Sequence, residues 1–278
     1  MIKWPMIWMR LVITLFVTVL MGVMSCSAYA QPYSETQKLI QSGSYSAAVK
    51  SGQALNTADS LSLASEALAR EVMLGEAENP KARALMARNL AEKALDMEPN
   101  HQNARLQFVV TDGFVARYTG DVTAWFKKLP QKSLELIQSY RNDFPDDPKG
   151  DALMGAWHLE IIRKAGEESA ERWFGARADY GKAFFEKSLQ QDPRDPIVNI
   201  NYAFALIALV EEESDGENRG KAQNMRRAHT LIETALEAPP SDDLTEKMQI
   251  KAAKALSLYE NAGDLKAFVD AFFEGKEL

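Results

Sequence analysis

YGKAFFEKSLQQDPRDPIVNINYAFALIAL, the stretch Tyr180–Leu209, carries the signals from which the architecture can be predicted. It predicts the second helix of one helical hairpin, a turn at Pro193, and the first helix of the next hairpin. On the outgoing helix, Gly181, Phe185 and Ser188 share one face because they follow each other at helical spacing. A face of small and large residues, closed by proline, favours tight packing against a partner helix.

The same spacing recurs through the chain, with closing prolines 46, 48 and 47 residues apart. The four copies are Ala87, Ala91, Ala94 and Pro99; Ser133, Ile137, Tyr140 and Pro145; Gly181, Phe185, Ser188 and Pro193; and Ala228, Ile232, Ala235 and Pro240. A lone helical hairpin cannot bury its apolar stripe, whereas stacked hairpins share one continuous core. The sequence therefore predicts an all-α solenoid of about five hairpins, with strand-like alternation scarce.

These positions resemble the second helix of a tetratricopeptide repeat, and Gly155 and Ala203 stand where that family has a small residue in the first helix. The copies after Pro99 and Pro240 lack this small residue, and the spacing exceeds the 34 residues of the family. Enlarged units are expected, with the extra residues in the first helix or in the turn inside each pair. The resemblance covers 31–263 and implies a right-handed stack that binds a partner on its concave face.

Residues 1–30 are typical of an export signal. Lys3 and Arg10 precede the apolar run Leu11–Met24, and Ala28-Tyr29-Ala30 forms a small-x-small cleavage site. The run is shorter than the roughly 20 residues that span a bilayer, so we expect cleavage before Gln31 and no membrane span in the mature chain. A second route stays open, since residues 23–26 resemble a lipobox in which Cys26 would be lipidated.

The predicted mature chain is acidic and free of cysteine. Cys26 is the only cysteine of the 278-residue chain, so after cleavage the fold must be held by its core alone. Removing the leader leaves 30 basic and 39 acidic residues, a balance of −9. This balance gives no electrostatic reason to bind nucleic acid.

Residues 264–278 are predicted to form a capping helix. Asp264 is the expected N-cap, and one apolar face follows it at helical spacing. Its members are Leu265, Phe268, Val269, Phe272 and Phe273. Two interpretations remain open: a terminal lid on the last repeat, or a helix that docks on a partner.

Candidate partner-binding residues follow from the offsets that line the concave face in the tetratricopeptide family. They are Ile197, Ile200, Phe204 and Ile207 after Pro193, and Lys247, Lys251 and Lys254 after Pro240. The apolar set would suit an amphipathic peptide, and the lysines could bind a carboxylate. The enlarged units could equally bury the apolar set, and the lysines could simply be a solvated face.

Residues suited to catalysis are sparse. His101, His158 and His229 lie in different repeats, and no metal-ligand cluster, nucleophile elbow or dinucleotide motif occurs in the sequence. We therefore expect no enzyme activity, metal or cofactor. An alternative is a small-molecule binder or enzyme with a pocket between helices around Trp157, His158 and Trp173.

Two aromatic pairs, Trp125-Phe126 and Trp173-Phe174, lie 48 residues apart, each before the second helix of its pair. They either pack in the core or face a ligand.

Together these features predict an exported, non-enzymatic scaffold or adaptor that binds another protein in the bacterial periplasm or cell envelope. The alternative processing route would make it a lipid-anchored envelope assembly factor.

Overall fold

The computed structural model describes residues 35–119, 123–124, 127–209, 218–261 and 263–276. The predicted leader, with Cys26 and Gln31, and the pair Trp125-Phe126 lie outside these ranges. Within them the chain forms thirteen α-helices and no strand, so the all-α prediction is confirmed. None of these helices combines the length and apolar character needed to cross a bilayer.

The helices follow each other closely along the chain. They are α1 at 35–41, α2 at Tyr45–Leu55, α3 at Ala58–Leu74, α4 at Pro80–Met97, α5 at Gln102–Arg117, α6 at Leu129–Asp143, α7 at Pro148–Ala165, α8 at Glu167–Phe174, α9 at Ala178–Gln191, α10 at Pro196–Ala208, α11 at Asn218–Glu237, α12 at Asp243–Glu260 and α13 at Leu265–Phe273.

Short polar side chains fix where several helices begin. The Asp195 carboxylate accepts hydrogen bonds from the amides of Ile197 and Val198, and Pro196 fills the first helical position of α10, which needs no donor. The sequence alone indicates Asp59 or Ser60 as the cap of α3, but the helix starts at Ala58 because Thr57 and Ser60 form a reciprocal capping box. Sequence signals therefore place the repeat starts to within a few residues.

Helices α3 to α11 pack as four consecutive pairs, with α2 laid on the first of them. The pairs are α3 with α4, α5 with α6, α7 with α9, and α10 with α11; α12 follows the last pair, and α13 contacts both α10 and α12. All twelve helical positions of the repeated spacing are buried. In the third pair the additional length lies between the paired helices, where α8 is inserted. The fold is therefore a solenoid-like array of enlarged helical pairs.

Helices α7 and α9 approach each other closely at two glycines. A Cβ placed on Gly155 would lie 2.8 Å from the carbonyl oxygen of Gly181 and 2.6 Å from Cδ2 of Phe185. A Cβ placed on Gly181 would in turn lie 2.6 Å from Cδ2 of Leu159. A side chain at Gly155 would meet backbone and force the two helices apart, and one at Gly181 would require Leu159 to move, since protein interiors are close-packed.

The first helices of the pairs, together with α12, form one layer that curls back on itself. Within this layer α3 contacts α5, α7 contacts α10, α10 contacts α12, and α12 returns to α3. Helices α5 and α7 are joined by the ion pair between Arg117 and Glu160. The array is therefore closed, and the layer made of α3, α5, α7, α10 and α12 has an inner face.

Charged side chains hold the two ends of the array together, in a group that we call the clasp. Arg70 Nη1 lies 2.7 Å from Asp242 Oδ2, and Tyr45 Oη donates to Asp243 Oδ2 over 2.8 Å. Lys247 Nζ lies 2.7 Å from Glu76 Oε1 and 3.1 Å from Asp243 Oδ2. The clasp therefore joins the first hairpins to the start of α12.

Candidate functional site

The inner face of the array is covered by the chain's own C-terminal segment. Helix α13 and the residues up to 276, which we call the lid, contact α10 and α12 and reach the ends of α5, α7 and α3. The carboxylate of Asp264 caps this helix by accepting from the amide of Ala267 over 2.9 Å. The site therefore consists of the inner face together with the helix that lies on it.

The apolar part of the site is an aromatic contact between α10 and the lid. The ring of Phe204 lies edge-on to Phe272 at 4.9 Å and to Phe268 at 6.2 Å between centroids. Phe204 and Ile200 are fully buried, and Ile207 is only 2% exposed. Most side chains of α10 are buried because α11 covers one side of the helix and the lid covers another.

The polar part of the site surrounds the last phenylalanine of the lid. The guanidinium carbons of Arg117 and Arg163 lie 5.4 and 5.2 Å from the centroid of the Phe273 ring, which are cation–π distances. Glu160 joins the two arginines: it accepts from Arg163 Nε and Nη2 over 2.8 and 3.0 Å and lies 3.4 Å from Arg117 Nε. We call these three residues the arginine clamp.

The carboxylate of Glu160 neutralises one of the two positive charges of the clamp. Burial alone would raise the pKa of Glu160, but the attraction of Arg117 and Arg163 outweighs it, so this pKa lies below its ordinary value. Glu160 therefore stays ionised and holds both guanidinium groups in position.

The end of the lid makes a close backbone approach. Gly275 has φ +66° and lies directly against the Tyr118 hydroxyl at the end of α5, so only glycine fits there without strain. Gly75, the left-handed C-cap of α3, lies beside the backbone of Gly275 and Lys276. The lid is thus seated over the C-terminal ends of three inner helices.

The apolar candidates from the sequence lie close to this site. Ile200, Phe204 and Ile207 are buried on α10, and Ile197 is half-buried at its start. Any partner that contacts Phe204 must first displace the lid. Their role in partner binding stays a prediction.

The three lysine candidates lie on α12 in different surroundings. Lys247 belongs to the clasp and already binds two carboxylates of the same chain. Burial lowers the pKa of Lys251; the charge of Lys247 adds to this effect and Glu76 partly opposes it. Lys254 is exposed. The stripe is therefore mixed: part of it closes the array, and only its far end is freely solvated.

Of the three residues proposed to line a pocket, Trp157 and His158 are buried and Trp173 is exposed. Trp157 is buried and donates from Nε1 to the carbonyl of Pro130 over 3.0 Å. His158 accepts the amide of Arg177 at Nδ1 and stacks on Phe184 with 5.9 Å between centroids. Burial lowers the pKa of His158, against an opposing effect of Asp179. Trp173 lies at the end of α8 and is 58% exposed.

Sequence reasoning missed the arginine clamp, although a signal for it exists. Arg117 and Arg163 each follow a repeat proline, Pro99 and Pro145, by 18 residues. Equal offsets in successive units place side chains at equivalent positions along an array, so the shared offset would have placed these two arginines in one row. What no offset could indicate is the phenylalanine that lies between them.

Other chemistry is weakly supported in this region. In the described part of the chain, no group of three or more histidine, cysteine, aspartate or glutamate side chains is arranged to hold a metal ion. No protein-family model and no curated protein matches the chain. The closed array, its inner face and the lid are therefore the features from which a function can be inferred.

Proposed function

We propose that this protein is an exported, tetratricopeptide-like scaffold that binds a segment of another protein in the bacterial periplasm or cell envelope, without catalysing a reaction. The observation that carries the proposal is the seat of α13. The inner face accepts an amphipathic helix through Phe204 and the arginine clamp. A face that accommodates one such helix has the shape and chemistry for others of the same kind.

The family-level part of the proposal is supported by packing. Small residues stand where helices approach closely, as Gly155 and Gly181 do, and prolines follow the second helices of the pairs. The enlarged pairs and the returning contact between α12 and α3 depart from the regular repeat. We accordingly propose a relative of that architecture with few, tightly curved units.

Residues 1–30, which are typical of an export signal, support a location in the periplasm or cell envelope. Mass spectrometry of the mature N-terminus separates the two processing routes. A chain that starts at Gln31 supports a free periplasmic protein, whereas a lipid-modified Cys26 supports the anchored form. Retention of residues 1–30 would contradict both.

The binding role is tested by photo-crosslinking in living cells. Benzoylphenylalanine replaces Tyr118, a half-buried ring at the end of α5 that lies against Gly275 of the lid, or Tyr259, a part-exposed ring of α12 that faces His229 of α11. We expect one discrete adduct from position 118 and none from position 259, with the captured chain identified by mass spectrometry and then shown to bind in purified form. No adduct at position 118, or the same adducts at both positions, would argue against the proposal.

A further inference from the structure

We infer that the inner face recognises a phenylalanine-rich amphipathic helix of a partner protein that carries carboxylates beside its rings, and that the lid is an intramolecular copy of this ligand which must leave before the partner binds. This inference rests on the proposed scaffold function and specifies its site and the chemistry of its ligand. It is carried by the contacts of residues 265–276 with the inner helices.

The lid displays the chemistry that such a ligand needs. Phe268 and Phe272 contact Phe204, and Phe273 lies between the two guanidinium groups of the clamp. Asp270 and Glu274 flank these rings and pair with Lys266 and Lys276 of the lid, and the charges of both carboxylates also act on Arg163. The lid therefore combines apolar rings with carboxylates, which matches a receptor that has both an apolar wall and a pair of arginines.

The side chains of the inner face that contact the lid are held in position by other residues of the array. Glu160 binds Arg163 through two hydrogen bonds and also pairs with Arg117, so both guanidinium groups keep their positions if Phe273 departs. Phe204 lies on α10, a helix fixed by α11 and α12. A preorganised site of this kind loses little free energy to ordering when a ligand binds.

The lid is the element best suited to exchange. It is a helix of nine residues, which is too short to be stable unless it is packed. It contacts helices of the inner layer, including α12. If it leaves, every pairing between the other helices is kept. Because it is tethered, its effective concentration is high, and a free competitor should bind the intact chain weakly.

The test uses the full-length protein and a labelled peptide with the sequence of residues 264–276, measured by fluorescence anisotropy. A chain carrying Phe272→Ala and Phe273→Ala has a weakened lid and should bind the peptide at least tenfold more tightly than the wild-type chain. A second variant, Asp264→Ala, loosens only the cap of α13, leaves every ring in place, and should shift the affinity in the same direction.

Matched controls report on recognition. A peptide in which the residues at 268, 272 and 273 are all alanine should not bind. Arg163→Gln in the weakened-lid chain should reduce affinity at least tenfold, whereas Arg226→Gln, at an exposed position of α11, should leave it unchanged. Circular dichroism of every variant confirms that helicity is retained.

Three outcomes would overturn the inference: equal affinity for wild-type and weakened-lid chains, no binding to either, or full affinity in the Arg163→Gln chain. The crosslinking experiment separates these failures from failure of the scaffold function. If position 118 still crosslinks the purified partner in the presence of excess peptide, the partner does not use the seat of the lid and only this inference falls. If the peptide binds but no adduct forms in cells, the groove stands and the scaffold proposal falls.

Discussion

Gly155 sets the distance between α7 and α9 because it has no side chain. Replacing it by alanine places a methyl group 2.8 Å from the carbonyl oxygen of Gly181, which belongs to backbone and cannot rotate away. We expect Gly155→Ala to lower the free energy of unfolding by about 1–3 kcal/mol, as overpacking of a tight core site does. Urea denaturation followed by circular dichroism measures the change.

Gly113 provides the matched control for that substitution. It lies inside α5, and a Cβ placed there meets nothing within 4 Å. Gly113→Ala should therefore raise the free energy of unfolding by about 0.5–1 kcal/mol, since alanine is the better helix former. If both variants were equally stable, the crossing would not depend on Gly155.

Glu160 predicts a dependence of stability on pH. Its pKa is lower in the folded protein than in the unfolded chain, so its contribution is present above the unfolded value and is lost as the pH falls through the folded one. The difference in unfolding free energy between the wild type and Glu160→Gln should be largest near neutral pH and shrink below about pH 5. Denaturation series at several pH values measure it, and a difference independent of pH would contradict the argument.

At the scale of single elements, the lid depends on its cap. Asp264→Ala removes the acceptor for the amide of Ala267 and should cost α13 about 1 kcal/mol. Hydrogen exchange in α13 should then speed up by roughly fivefold. The control is Asn79→Ala, which removes the corresponding cap of α4. This control should accelerate exchange at the start of α4 and leave the lid unaffected.

Helices and their pairing could be predicted because their signals are local. The repeated spacing that ends in Pro99, Pro145, Pro193 and Pro240 marks the second helices directly, and Asp264 marks the start of α13. The cap of α3 was misplaced because Thr57, Asp59 and Ser60 are all suitable capping residues, and only the backbone geometry selects Thr57. The amphipathic face of α13 predicted either a lid on the last repeat or a helix that docks on a partner, but not a position across the inner face.

At the scale of the whole molecule, the clasp determines whether the array is closed. Arg70→Met removes a largely buried partner of Asp242 and should lower the free energy of unfolding by about 1–3 kcal/mol. The distance between spin labels on α2 and α12 should widen as the ends separate. Arg227→Met is the control, because it breaks a more exposed pair with Glu186 between neighbouring pairs of helices, and should cost less than about 1 kcal/mol.

A narrow, unchanged distance distribution in Arg70→Met would show that apolar contacts alone close the array.

The sequence could not predict the clasp. Tyr45 and Asp243 are 198 residues apart, and Arg70 and Asp242 are 172 apart. None of these four residues belongs to the repeated spacing, and charged residues are common throughout the chain.

The clasp also bears on how the protein reaches its native state. An open solenoid can fold one unit at a time as synthesis proceeds, because each unit contacts only its neighbours. Here the first hairpins remain incomplete until residues some 170 to 200 positions later have been made. Such distant pairing slows folding and makes it more nearly all-or-none. Nascent N-terminal fragments would accordingly stay loosely structured until the final hairpin arrives.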